Sequence, residues 1–163
     1  MVIIVMGVSG SGKTTVGRLL AHELGSVYAD ADDFHPPANV QKMRGKQPLT
    51  DDDRRPWLQN LARQVRRWLE ERRDGVLACS ALTARSRAML GVDNDRVRLV
   101  YLKGSFDLIH SRIAARKDHF MPADLLVSQF QTLEEPAEAI VLDVGEDPEA
   151  IVRRAVDALR RGA

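Results

Sequence analysis

Apolar residues along this chain fall into two rhythms. Short continuous apolar runs alternate with longer stretches where apolar residues recur at i, i+3, i+4 and i+7. The runs at residues 2–6, 26–29, 76–79, 97–102 and 139–143 predict strands. Val2, Ile3, Ile4, Val5 and Met6 carry no polar interruption, as expected of a central parallel strand buried on both faces. The longer period predicts helices over residues 15–24, 38–44, about 51–69, 84–90, 106–116, 125–133 and from Pro148 onward. Gly25 stands where a helix C-terminus wants a glycine. Thr50 or Asp51 is placed to cap the third helix, and Pro56 falls early enough in it to be tolerated. Five strands interleaved with helices predict an α/β three-layer sandwich around a parallel sheet, with right-handed crossovers.

The first strand leads into Gly7-Val8-Ser9-Gly10-Ser11-Gly12-Lys13-Thr14, and Thr15 opens the first helical pattern. Strand, glycine-rich loop, Lys-Thr and helix together form the phosphate-binding pattern G-x-x-x-x-G-K-[ST] in its required context. The glycines let successive backbone N–H groups converge, and the helix N-terminus adds partial positive charge there. A nucleoside triphosphate such as ATP is the implied ligand. Lys13 would reach the outer phosphates, and the Thr14 hydroxyl would ligate Mg²⁺.

Composition narrows the setting. At 163 residues the chain fits one domain with a real core. A net charge of +1 gives no general argument for nucleic acid or an acidic membrane. No apolar run approaches a membrane span, and an N-terminus that is already a core strand predicts no signal peptide. Cys79, the sole cysteine, reads as a small buried residue and points to a cytoplasmic protein.

Candidate chemistry collects after the strands. Asp30, Asp32 and Asp33 follow the second strand, where open parallel sheets bind ligands. If the backbone stays extended, Asp30 and Asp32 point to one side. One carboxylate can organise Mg²⁺ while the other accepts a hydroxyl proton. The strand ending in Cys79-Ser80 lacks the usual Walker B aspartate, leaving Thr14 and Asp30 as the metal ligands. His35, Arg54 and Arg55 are further substrate candidates, because a guanidinium suits a carboxylate. Asp51, Asp52 and Asp53 read as a charge cluster at a helix N-terminus. Arg112 and Arg116 share a helix face and enter the interrupted segment 117–122, which reads as a lid over phosphates at about 116–126. Arg63, Arg66, Arg67, Arg72 and Arg73 read as a solvated helix surface.

Several of these segments resemble the gluconate kinases. They are the glycine-rich loop, Asp30-Ala31-Asp32-Asp33-Phe34-His35-Pro36, and the segment from Pro48 to Leu58 containing Asp53-Arg54-Arg55-Pro56-Trp57. Cys79-Ser80-Ala81-Leu82, His119-Phe120-Met121-Pro122 and Ser128-Gln129-Phe130-Gln131-Thr132-Leu133-Glu134-Glu135-Pro136 complete the resemblance, in the family's order and over nearly the whole chain. The resemblance implies ATP:D-gluconate 6-phosphotransferase activity, a nucleoside monophosphate kinase-like fold with a lid, a substrate-binding insertion at about 34–60, and a homodimer. It implies Asp30 near Mg²⁺, Asp32 on the acceptor hydroxyl, and Arg54 with His35 on the substrate carboxylate. Ser80, His119 and Gln129 are the other substrate candidates it carries, with Lys13 and Arg116 catalytic. Thr83 and Ala84 stand where the family often has two lysines, and Asp118 where a glycine is usual.

Three other readings compete. The acceptor is another small polyol or sugar acid; shikimate fits less well, because Ser80-Ala81 replaces a glycine-rich substrate turn. The protein is an RNA 5′-hydroxyl kinase or nucleic-acid-binding ATPase, which the near-neutral charge and the lack of interleaved aromatics oppose. Or it binds nucleotide without transferring phosphate, which the ordered aspartates disfavour.

Overall fold

The computed structural model describes residues 1–45, 47–116 and 123–162. Five strands form one all-parallel sheet: β1 (Val2–Met6), β2 (Val27–Asp30), β3 (Gly75–Ala78), β4 (Val97–Lys103) and β5 (Ile140–Asp143). Their spatial order is β2-β3-β1-β4-β5, so the apolar run of β1 lies at the centre and is buried throughout. The connecting helices are α1 (Lys13–Glu23), α2 (Pro37–Arg44), α3 (Asp51–Glu70), α4 (Ala84–Met89), α5 (Phe106–Ala114), α6 (Ala123–Thr132) and α7 (Pro148–Arg161). A short 3₁₀ turn, Ala31–Phe34, follows β2.

Strand alternation distributes β1 between two cores. Ile3 and Val5 join Val16 and Leu20 of α1, Ile109 of α5, and Ile151 and Val156 of α7 on one face of the sheet. Val2, Ile4 and Met6 join Leu61, Val65 and Trp68 of α3 and Leu90 after α4 on the other. This is the three-layer sandwich expected. Cys79 is buried, and burial pushes its thiol up to about 12, so it serves as packing. Arg63, Arg66, Arg67, Arg72 and Arg73 are exposed, as read from the sequence. No helix among the described residues is long and apolar enough to cross a membrane.

Three local expectations need correction. The first helix begins at Lys13, because Gly12 adopts a left-handed conformation and itself forms the N-cap. Asp32 is not extended; the Asp30 carboxylate accepts from the Asp32 amide and winds the chain into the 3₁₀ turn. The fifth helix stops at Ala114, so Arg116 lies past its end rather than on a helix face with Arg112.

The N-terminus of α3 is a junction between helices. Thr50 Oγ1 accepts from the Asp53 amide at 3.1 Å, and Asp53 Oδ2 accepts from the Thr50 amide at 2.8 Å. Lys42 of α2 donates to the same carboxylate at 2.8 Å, and buried Asn39 donates to the Asp53 carbonyl at 2.8 Å. The α2 segment is thereby fastened to α3, and Pro56 sits within α3 on its exposed side.

Thr50→Ala should lower stability by about 1 kcal/mol, the usual cost of an N-cap, as read by urea denaturation. Asp53 gives a pH-dependent signature. The Lys42 ammonium and the Thr50 amide hold its carboxyl at about 2, below the ordinary 3.8. Its folded pKa is depressed, so its contribution is complete above the unfolded value and is lost as pH falls through the folded one. Asp53→Asn should therefore be less stable than wild type at neutral pH. The gap should close between about pH 4 and about pH 2.

Candidate active site

The chain leaves β1 at its buried C-terminal end and turns at Gly7. A Cβ at Gly7 would lie 2.6 Å from Ser11 Oγ and 2.9 Å from the Leu102 carbonyl oxygen, which only glycine avoids. The loop then closes on Gly12, whose φ of 93° aims the first free amides of α1 into the loop. Lys13 Nζ folds back to donate to the Val8 carbonyl at 2.9 Å. Burial pulls the Lys13 ammonium below the ordinary lysine pKa; Asp32 and Asp30 pull it back up, and the nearby Arg116 charge pushes it down. The Ser11 hydroxyl is buried without a hydrogen-bond partner among the described residues. Convergent amides, an ammonium folded back onto the loop and an unpaired hydroxyl fit a polyphosphate group here.

The Asp30 carboxylate is the junction beside it. Oδ2 accepts from Thr14 Oγ1 at 3.0 Å and from the Tyr28 hydroxyl at 3.0 Å, while Oδ1 caps the 3₁₀ turn. Burial and the adjacent Asp30 charge push the Tyr28 phenol up to about 12, so Tyr28 remains a donor. The Arg18 guanidinium lies 5.4 Å from the centre of the Tyr28 ring. Thr14 and Asp30 thus supply an adjacent hydroxyl and carboxylate oxygen, a donor set that fits Mg²⁺ held against phosphates.

Asp32 projects from the 3₁₀ turn and keeps access to solvent. Crowding by protein atoms, and then the Asp30 charge, raise its pKa above the ordinary carboxylate value; His35 and Lys13 oppose the rise. His35 stacks on Trp57 with ring centres 4.6 Å apart and 8° between planes. Burial lowers the His35 pKa, with Asp32 pulling it up, and the Asn39 amide nitrogen lies 3.3 Å from His35 Nδ1. Trp57 Nε1 also donates to the Ala31 carbonyl at 2.7 Å, fixing α3 to the turn that carries Asp32.

Trp57 forms one wall of a cavity of about 490 Å³ between the start of α3, the turn after β3, and α6. Arg54, Arg55, Ser80, Arg85 and Gln129 also line it. Arg54 is held by Asp51 at 3.0 Å and Arg55 by Asp52 at 2.9 Å, so the cluster of aspartates both caps α3 and orients its arginines.

The structure brings Lys13, Thr14, Asp30 and Asp32 together, and it places Arg54, His35 and Ser80 at or beside the adjoining cavity. Gln129 lines the cavity and also accepts from the Ser9 amide at 2.7 Å and donates to Ser9 Oγ at 3.0 Å, tying α6 to the phosphate-binding loop. Arg112 is half-buried in the last turn of α5. Thr15 is exposed on the first turn of α1. His119 and residues 117–122 of the expected lid lie outside the described residues. Sequence reasoning gave no site role to Tyr28, Trp57 or Arg85. The spacing of Trp57 fits the apolar stripe of α3 and gives no sign of its second use. Thr83, one of the two positions where gluconate kinases often carry lysine, caps α4 by accepting from the Ser86 amide at 3.1 Å.

Comparison with known proteins points the same way. The family model described as shikimate kinase matches residues 9–160. The thermoresistant gluconokinase of Escherichia coli (strain K12) is 39% identical, over 99% of this chain and 94% of that protein. The crystal structure of a gluconokinase from Sinorhizobium meliloti 1021 superposes with a TM-score of 0.86 at 39% identity, covering 98% of this chain and 91% of that one. Shikimate kinase from Aquifex aeolicus, at 21% identity and a TM-score of 0.65, shares the fold.

Lys13→Ala should cut nucleotide-dependent phosphoryl transfer by at least ~100-fold, the scale of one electrostatic contact to a transferring group. Turnover near wild type at saturating ATP would contradict the assignment of the loop. Asp30→Asn should weaken Mn²⁺ binding to the protein–ADP complex, measured by electron paramagnetic resonance, and raise the metal concentration needed for half-maximal rate.

Proposed function

The chain belongs to the gluconokinases, within the shikimate kinase family, and from that premise we propose that it phosphorylates D-gluconate at the 6-hydroxyl, giving 6-phosphogluconate and ADP. The observation that carries this reading to the site is the placement of Asp32. Its charge couples to Lys13 and Asp30, and the neighbouring Ala31 carbonyl accepts from Trp57, which lines the same cavity as Arg54 and Arg55.

Gluconate is an anion at one end and a primary alcohol at the other. Arg54, already oriented by Asp51, is suited to take the carboxylate through its planar fork, with His35 assisting. The 6-hydroxyl is then directed toward Asp32. As the bond between O6 and the γ-phosphorus forms, the bond from that phosphorus to the β–γ bridging oxygen breaks, and ADP departs with its electron pair. Asp32 accepts the hydroxyl proton, and its raised pKa makes it a stronger proton acceptor than an ordinary aspartate. The transfer is largely dissociative, so orientation of the alcohol contributes alongside proton removal. Lys13 and Arg116 supply positive charge to the migrating phosphoryl group, and the amides of the Gly7–Thr14 loop hold the phosphates it leaves. Mg²⁺, which Thr14 and Asp30 would hold, neutralises phosphate charge when bound. The segment at 116–126 would close over the site as a lid, the stretch 34–60 would serve as the substrate-binding insertion, and the active form would be a cytoplasmic homodimer without nucleic-acid or membrane partners.

Asp32→Asn keeps the side chain's size and loses its charge, so turnover should drop by roughly 100-fold or more while ATP affinity changes little. Turnover within a few-fold of wild type would rule out the proton-acceptor role. Arg54→Lys should raise KM for gluconate far more than KM for ATP, because lysine cannot reproduce the fork. Equal effects on both substrates would move Arg54 to the nucleotide or the scaffold. Phosphorus NMR of the product should show a phosphomonoester at carbon 6.

A further inference from the structure

Among the described residues, Arg87 is the only charged residue in the buried set, with an exposure of 7%. Phosphoryl transfer makes no direct use of it, and the Glu134 carboxylate is the charge that acts on it. Its Nη1 has two N–H bonds and donates to two consecutive carbonyls, Ala81 and Leu82, each at 3.1 Å. Those carbonyls belong to the turn that follows β3. The Cys79 amide just past β3 still donates to the Val5 carbonyl of β1 at 3.1 Å. Ala81 takes a φ of 45°, a left-handed conformation that a residue with a Cβ adopts only when its surroundings enforce it.

The other side of the same turn is held from the end of α6. The Glu134 amide donates to the Leu82 carbonyl at 2.9 Å, and the Glu134 carboxylate accepts from the Ala84 amide at 2.8 Å. The turn is thus gripped twice, by a buried cation from one helix and by a residue after another. Ser80, Ala81, Leu82 and Thr83 all face the cavity, whereas Arg87 does not line it. The Ser80 carbonyl accepts from the Gly7 amide at 3.4 Å, so the turn departs from β1 only after Ser80.

We propose that Arg87 is a positioning residue for the acceptor site: with Glu134 it holds the 80–84 turn in its left-handed form and so sets the shape of the gluconate cavity without touching substrate. The proposal rests on the reading of that cavity as the gluconate site. A neutral side chain of similar length leaves the two carbonyls without their shared donor, and the turn relaxes away from its strained conformation. The cavity wall then moves while the nucleotide loop keeps its own bonds. Lysine brings an ammonium to the same place but with less reach, so it restores the wall only in part.

The test compares wild type, Arg87→Met and Arg87→Lys as full chains. In hydrogen exchange without ligands, the Ala84 and Glu134 amides should exchange at least tenfold faster in Arg87→Met, with β1 amides unchanged. In kinetics, KM for gluconate should rise at least tenfold, KM for ATP should stay within twofold, and Arg87→Lys should fall between. Unchanged local exchange, or faster exchange with an unaltered KM for gluconate, overturns the proposal. So does an equal rise in both KM values. If Arg87→Met does not fold, Glu134→Ala carries the same comparison from the other side of the turn, and an unaltered KM for gluconate there overturns it. A wild-type protein that turns over no gluconate defeats the functional reading instead. The exchange at Ala84 and Glu134 still decides whether Arg87 holds the turn.

Discussion

The hydrogen bond between the Thr14 hydroxyl and the Asp30 carboxylate is the contact on which the site depends. β1 and β2 are not neighbours in the sheet; β3 runs between them. The phosphate-binding loop and the acidic turn therefore meet only above the end of β3, and Asp30 makes that meeting with Thr14 at 3.0 Å. The same carboxylate receives the Tyr28 hydroxyl and caps the turn that aims Asp32. One side chain thus sets the spacing between the Thr14 hydroxyl and the turn that carries Asp32. The inner strand that ends before Cys79-Ser80 carries no acid, and the carboxylate beside Thr14 comes from the edge strand.

The acceptor side is built from elements that hold one another rather than from a single rigid strand. The capping box of α3 orders the aspartates that orient Arg54 and Arg55. Trp57 joins α3 to the Asp32 turn through its indole N–H and its stack on His35. Gln129 within α6 and Glu134 just past its end grip the phosphate-binding loop and the post-β3 turn respectively. Nucleotide and acceptor regions therefore share a frame, which in-line transfer between two substrates requires.

Much of this was legible in the chain. The continuous apolar run of β1, the glycine-rich loop, and the Thr50–Asp53 cap are local patterns with local causes, so they are visible residue by residue. The resemblance to gluconate kinases suggests roles for Asp30, Asp32 and Arg54 that their spacing alone does not assign. The rest required tertiary contacts. The extended reading of Asp32 failed because the carboxylate of Asp30 competes with the strand for the Asp32 amide. Trp57 looks like core because its spacing fits the stripe of α3, yet its N–H and its face are used at the site. Arg87 carries no signal at all: an arginine in a short helix reads as surface, and only the carbonyls of a left-handed turn give it a reason to be buried.

The central claim is that these parts form a kinase for a linear sugar acid. Its most direct test is ADP release by the purified protein with Mg²⁺-ATP, compared across gluconate, related aldonates, shikimate and nucleoside monophosphates. The account predicts the highest kcat/KM for gluconate, lower values for aldonates of other length or configuration, and background rates for shikimate and the nucleotides. A preference for shikimate or a nucleoside monophosphate over gluconate would contradict it.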